Sequence, residues 1–244
     1  MTPDTTQNER ATEETELLRR LITGARFVLF DFDGPICRLF AGHSAETVAK
    51  ELVDWLGRQG LRGLLTEEER VHPDPMAVLY AVDGRHPRSD LVAELEGRLT
   101  QQELKAVASA WPTAYADTLI RTWSAVGTRL AIATNNSPRT AAGYLAGRGL
   151  LECFAPNIYG RTQNLHDLKP NPHCLVRALN SMGAAREEAL MIGDTPTDLD
   201  AARRAGVPFL GYARNEEKGK HLKEAGAECV VNSLEPVLGV VRAV

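Results

Sequence analysis

Asp31 and Asp33 stand one residue apart, directly after the apolar run Phe27-Val28-Leu29-Phe30 and just before Gly34. Side chains alternate along an extended backbone, so the two carboxylates project to one side and converge on one spot. Gly34 lets the chain turn sharply away, which places the pair at the carboxyl end of a strand, where open α/β sheets hold their ligands. Ionised carboxylates this close repel one another unless a cation or a reaction uses both. Their chemistry is that of a nucleophile, a general acid or base, or oxygen ligands for a hard divalent ion. Asp-x-Asp is also common in polar turns, so the pair does not decide alone.

Three further segments follow in order: Ile132-Ala133-Thr134-Asn135-Asn136, Lys169-Pro170-Asn171-Pro172 and Met191-Ile192-Gly193-Asp194-Thr195-Pro196-Thr197-Asp198. Thr134 closes an expected strand and Asn135 to Pro138 open a helix. A hydroxyl and free backbone N–H groups there suit a phosphate oxygen, with an ordinary helix cap as the alternative. Pro170 and Pro172 stiffen the loop that carries Lys169; a lone lysine is otherwise a solvated charge. Asp194 sits in a Gly-Asp turn with Asp198 one helical turn on, where a capping acid and a first-turn acid are the plain reading.

Together the four segments resemble the signature of the haloacid dehalogenase superfamily in its phosphatase branch, over residues 26–212. The resemblance implies an α/β fold: a Rossmann-like, three-layer core with a parallel sheet, plus an inserted all-helical cap of the C1 type. It implies Asp31 as a nucleophile that forms an aspartyl-phosphate, and Asp33 as general acid and then general base. Mg²⁺ would be held by Asp31, the Asp33 carbonyl and Asp194, with Asp198 in the outer shell or on Lys169. The substrate phosphate would meet Asp31, Thr134, Asn135 and Lys169. Pro35 departs from the Thr or Val usual after Asp-x-Asp-Gly, which bears on the shape of the neighbouring flap.

A carboxylate attacking a phosphate ester must overcome like-charge repulsion. At about 4 Å and an effective dielectric near 20, each unit pair costs roughly 4 kcal/mol, doubled for a dianion. A hard divalent ion such as Mg²⁺ supplies one compensating charge. Lys169 supplies another.

The elements that position these residues are read from periodicity. Residues 1–11 read as a disordered tail and 12–23 as a short amphipathic helix. The α/β core is expected over 12–37 and 113–244, interrupted over 38–112 by a helical cap. In that cap, Ser44, Ser89 and the boxes Thr66/Glu69 and Thr100/Glu103 mark helix starts. After Pro112, helices at 113–126, 138–148, 172–182, 196–205 and near 216–225 alternate with strands at 129–134, near 158, 189–193, 207–211 and 229–231, and a terminal helix closes the chain. Such alternation argues for right-handed crossovers and a parallel sheet covered on both faces.

With 43% hydrophobic and 25% charged residues, the composition is that of a globular chain. A net charge of −4 gives no basic field for nucleic acid or an anionic membrane, so an anion must be bound locally. Cys37, Cys153, Cys174 and Cys229 lack metal or redox spacing and read as idle thiols. The polar, acidic start carries no secretory pattern and no run is long enough to span a bilayer. The expectation is a soluble cytoplasmic protein, monomer or homodimer, acting on a small phosphorylated metabolite.

Specificity is expected from the cap. Its loop 83–88 carries Arg85, His86 and Arg88, which either reach an acidic substrate tail or form an exposed turn. Arg38 and His43 are weaker candidates of the same kind, whereas His166 and His173, near Lys169 in sequence, stand where helix ends and loops commonly carry histidines; Trp55, Trp111 and Trp123 read as helix-borne core anchors. The leading activity is phosphomonoester hydrolysis, as in phosphoglycolate-type phosphatases. A sugar phosphomutase shares the same motifs. A 2-haloacid dehalogenase would need neither Asp33 nor Asp194, and a non-catalytic binding protein would not need every chemical position filled.

Overall fold

The computed structural model describes residues 4–243. The chain begins with α1 (Asp4–Thr23), β1 (Phe27–Phe30) and β2 (Cys37–Arg38), and then runs through four helices, α2 (Ala45–Arg58), α3 (Glu67–Arg70), α4 (Pro75–Arg85) and α5 (Asp90–Val107). It returns through β3 (Trp111–Pro112), α6 (Ala116–Ala125), β4 (Arg129–Ala133), α7 (Pro138–Gly147), α8 (Leu151–Phe154), β5 (Ile158–Tyr159) and α9 (His173–Met182). The last part is β6 (Ala189–Gly193), α10 (Pro196–Ala205), β7 (Phe209–Tyr212), α11 (Glu216–Glu224), β8 (Val230–Val231) and α12 (Glu235–Arg242).

Six strands form one sheet in the order β5-β4-β1-β6-β7-β8, every pairing parallel. The fold is therefore the expected α/β core. Central strands buried on both faces are near-continuously apolar, and β1 is fully buried. Val28 and Phe30 join a cluster with residues of α1, α6, α7 and α12, while Phe27 and Leu29 join another with α9 and α10. These clusters are the two sides of a three-layer sandwich. A third cluster, centred on Leu52, Trp55, Leu79 and Leu95, belongs to the helical insert and also takes in Leu165 and Leu168.

The chain leaves the core at β2 and returns at β3, and the two pair antiparallel as a short stalk. Thr113 fixes that stalk to the turn after β1: its N–H donates to Ile36 O at 3.0 Å and its hydroxyl to Gly34 O at 2.6 Å. For this reason the helix expected from 113 begins only at Ala116.

Other elements differ from the sequence reading. The tail expected over 1–11 is helical from Asp4 onward, residues 1–3 lying outside the described residues. That stretch has no apolar period to signal a helix, but Gln, Glu, Arg and Ala all favour one and extend α1 as a polar continuation. Helix α8 was not anticipated. Trp111 lies in β3 and is 58% exposed, with the Arg38 guanidinium 5.3 Å from its ring, whereas Trp55 and Trp123 are buried as anchors.

Candidate active site

β1 is the point where strand order reverses: β4 lies on one side of it and β6 on the other. The register pairs Phe30 with Ile132 and with Ile192. The residues that follow these three strands therefore emerge side by side in the crevice such a reversal creates. They are Asp31, Thr134 and Asp194. Asp31 N–H still donates to Ile192 O at 2.8 Å, which fixes its direction.

The expected acids meet here. Lys169 Nζ lies 2.8 Å from Asp31 Oδ1, 2.5 Å from Asp198 Oδ1 and 2.9 Å from Ala133 O. Burial works against the ammonium, but Asp198 and Asp31 outweigh it and push the Lys169 pKa up, so the group stays charged. Asp31 is itself raised, by burial first, with Lys169 opposing and the Asp198 charge adding. Asp198 is saturated: its other oxygen accepts from Asp194 N, Thr195 N and Thr195 Oγ1 at 3.0, 3.0 and 2.7 Å. Asp198 and Thr195 thereby close a capping box on α10. Gly193 is needed beside them, since a Cβ there would come 2.4 Å from Asp198 Cβ.

Asp33 lies in the turn that follows Asp31, in an isolated bridge with Cys37. Its carboxylate accepts from Leu39 N at 2.9 Å. Burial pushes it up to about 6, against that hydrogen bond, which suits an acid that must hold a proton near neutral pH. Gly34 has φ +129°, and a Cβ on it would sit 2.4 Å from Asp194 Cγ. Pro35 is accommodated in this turn, where Gly34 N donates to Cys37 O at 2.6 Å. Cys37 is buried, its thiol pushed up by burial, in keeping with a packing role.

Asp194 Oδ2 pairs with Lys218, while its Oδ1 is buried without a partner. Burial pushes Asp194 up to about 7, with Lys218 opposing. Asp31, Asp194 and Asp198 each place an oxygen within 4.8 Å of the others. An orphaned buried carboxylate oxygen in an all-oxygen donor set fits a hard cation such as Mg²⁺.

Thr134 is buried at the end of β4, its hydroxyl accepting from Asn136 N and donating to Asn136 Oδ1, each at 3.2 Å. Asn135 lines the same cavity, and its side chain is engaged behind it: the amide donates to Lys169 O at 3.0 Å and accepts from Lys169 N at 2.8 Å. Asn135 therefore holds the lysine loop. Arg85 is paired with Glu69, Arg88 N–H donates to Asp83, and neither lines the crevice. His43 contacts Gln102, and His173 faces Asp167 at 3.8 Å.

Sequence reasoning missed two features. Thr100 and Glu103 do not start a helix; α5 runs straight through them. Glu103 is buried and reaches across to the core, accepting from Ser137 N at 2.9 Å, Thr140 Oγ1 at 3.2 Å, Asn136 Nδ2 at 3.1 Å and Arg161 Nη1 at 2.7 Å. It thus caps α7 from another part of the chain, a pairing that local spacing cannot reveal. Lys218, in a solvent-facing run of charges, gave no signal either.

A profile described as haloacid dehalogenase-like hydrolase matches residues 25–206. The phosphoglycolate phosphatase of Thiobacillus denitrificans is 34% identical over 201 residues, 82% of each chain. That of Rhodospirillum rubrum is 39% identical over 113 residues, 45% of each chain. Among solved structures, the haloacid dehalogenase-like family protein SP0104 from Streptococcus pneumoniae shares the fold with a TM-score of 0.62 and 18% identity, over 91% of this chain and 100% of that one. CbbY from Rhodobacter sphaeroides, solved in complex with phosphate, has a TM-score of 0.62 and 22% identity over 86% of this chain and 94% of that one. The chain belongs to the haloacid dehalogenase-like hydrolases. Within them it falls in the phosphatase branch, and its relatives named phosphoglycolate phosphatase are phosphoric monoester hydrolases. Among the described residues no helix is long and apolar enough to cross a membrane.

Proposed function

We propose that the protein is a Mg²⁺-dependent phosphatase that hydrolyses the phosphate monoester of a small metabolite through an aspartyl-phosphate on Asp31. The observation that carries this reading is the convergence of Asp31, Asp33, Thr134, Lys169 and Asp194 around one cavity of about 900 Å³. Asp31 attacks phosphorus; the bond to the leaving oxygen breaks, and Asp33 gives that oxygen its proton. Water then attacks the phosphorus of the aspartyl-phosphate, Asp33 takes the water's proton, and phosphate leaves as the Asp31 carboxylate is restored. Lys169 and the Thr134 hydroxyl hold phosphate oxygens, and Asp198 and Asn135 hold Lys169. Asp31, the Asp33 carbonyl and Asp194 would hold Mg²⁺, which supplies charge neutralisation of the phosphate. The helical insert over 38–112 acts as the cap that shelters the site from water.

The test is phosphate release from a generic ester with and without EDTA, with mass spectrometry of acid-quenched protein. Activity that needs the ion and an 80 Da adduct lost in Asp31→Asn are expected on the phosphorylation chemistry. Activity retained by Asp31→Asn refutes the mechanism. A phosphomutase would instead return the phosphoryl group to a sugar, so that product analysis finds an isomeric phosphate in place of free phosphate.

A further inference from the structure

The cavity has two differently charged ends. Toward the sheet it is lined by Lys169, Arg204, Arg214 and Lys218, all from the core. Lys169 and Lys218 are bonded to the site's own carboxylates, and Lys218 and Arg214 both draw down the pKa of Asp33. Toward the insert, the wall is Phe40, Met76, Tyr80 and Leu99 with two acids, Asp74 and Glu103. Among the described residues, no Lys, Arg or His from 38–112 lines it. Arg161, behind that wall, has its charge matched by Glu103 and Glu96 at 2.7 and 3.1 Å. His166, on the rim, is mostly exposed and faces Asp83 at 3.7 Å.

This arrangement determines what can leave. With the phosphate fixed at Lys169 and Thr134, the alcohol half of the ester extends along the insert wall. An anionic group there would meet Asp74 with no cation from the insert to offset it. An ammonium or a hydroxyl would find the Asp74 carboxylate and the Tyr80 side chain on this wall, and a carboxylate and an aromatic ring both attract cations. The apolar side chains suit a carbon backbone. Resting on the phosphatase reading above, we infer that the substrate is a phosphomonoester whose leaving alcohol carries no negative charge and bears an amine or hydroxyls on an apolar body. Phosphoglycolate, the substrate named for the relatives, has a carboxylate in that half and fits this wall poorly.

The experiment compares kcat/KM, with Mg²⁺, for phosphoglycolate and 3-phosphoglycerate against glycerol phosphate, phosphoethanolamine and p-nitrophenyl phosphate. The neutral and cationic esters are expected to exceed the phospho-carboxylates by about tenfold or more, from like-charge exclusion. Asp74→Asn keeps the helix cap, since Asn caps as well as Asp. It is expected to narrow that ratio by about fivefold, the scale of an exposed ionic contact. Phosphoglycolate as the preferred substrate, or ratios in Asp74→Asn within twofold of the parent, overturns the inference while leaving the phosphatase reading standing. No release from any ester, p-nitrophenyl phosphate included, overturns both.

Discussion

Replacing Arg161 with methionine removes the cation from a sealed junction between the insert and the core. Arg161 has 0% side-chain exposure and Glu103 has 2%, and they meet at 2.7 Å. Arg161 also donates to Asn135 O at 3.0 Å, to Thr100 Oγ1 at 3.2 Å and to Glu96 at 3.1 Å. Methionine fills the volume but leaves Glu103 buried and uncompensated, a change that costs about 3–5 kcal/mol. For a chain of this size each kcal/mol lowers Tm by about 2–4 °C, so the variant should melt roughly 6–20 °C lower. Glu103→Gln keeps an acceptor for Ser137 and loses the charge, with an expected cost of about 1.5–3 kcal/mol. Because both act on one network, the double variant should cost less than the two singles added, with a coupling of about 1–3 kcal/mol. Urea unfolding followed by circular dichroism measures all three. An Arg161→Met protein within about 1 kcal/mol of the parent, or strictly additive singles, would refute the view that this junction ties α5 to α7.

Without a divalent ion, Asp33 and Asp194, pushed up by burial to about 6 and about 7 from 3.8, bind protons more tightly folded than unfolded. That stabilisation is complete below pH 3.8 and is lost as pH rises through 6 to 7. Calorimetry in EDTA should therefore show stability falling by a few kcal/mol from about pH 4 to 8, and a flat or rising curve would contradict it. Lys218→Met removes the competitor for Asp194 Oδ2 and should tighten Mg²⁺ binding about fivefold in a thermal-shift titration; weaker binding would show that Lys218 has no such role. Gly34→Ala puts a Cβ into the Asp194 carboxylate and should abolish turnover while the far-ultraviolet spectrum stays native; normal turnover would mean the turn relaxes freely.

How much of this was legible in the sequence follows from the range of the interactions involved. Asp31, Thr134 and Asp194 were found because each ends an apolar strand, and strand ends are marked locally by Gly, Pro and cap residues. Their convergence follows from right-handed parallel topology alone. Asn135 is placed at the phosphate by its position at a helix start, but the bond from its side-chain amide to the backbone of Lys169, 34 positions away, has no local signal. Glu103 was taken for half of a capping box because it stands three residues after Thr100; in the structure Thr100 donates to Glu96 at 2.8 Å and Glu103 caps a different helix. Local spacing specifies local bonds. It is silent about a side chain whose partners lie across the insert–core junction.

The charge inventory ties the chemical end of the cavity to its selective end. Four carboxylates, Asp31, Asp33, Asp194 and Asp198, face two directly bonded ammonium groups, Lys169 and Lys218. Two negative charges remain, and burial raises the pKa values of Asp33 and Asp194. On the proposed reading a divalent cation would match that deficit, leaving Arg204 and Arg214, also on the core side of the cavity, to face a phosphate dianion without a cation from the insert. The insert is then under no electrostatic demand to carry one. Its wall can be apolar and acidic, as Leu99, Met76 and Asp74 make it, and selection among esters shifts to the charge of the alcohol that leaves.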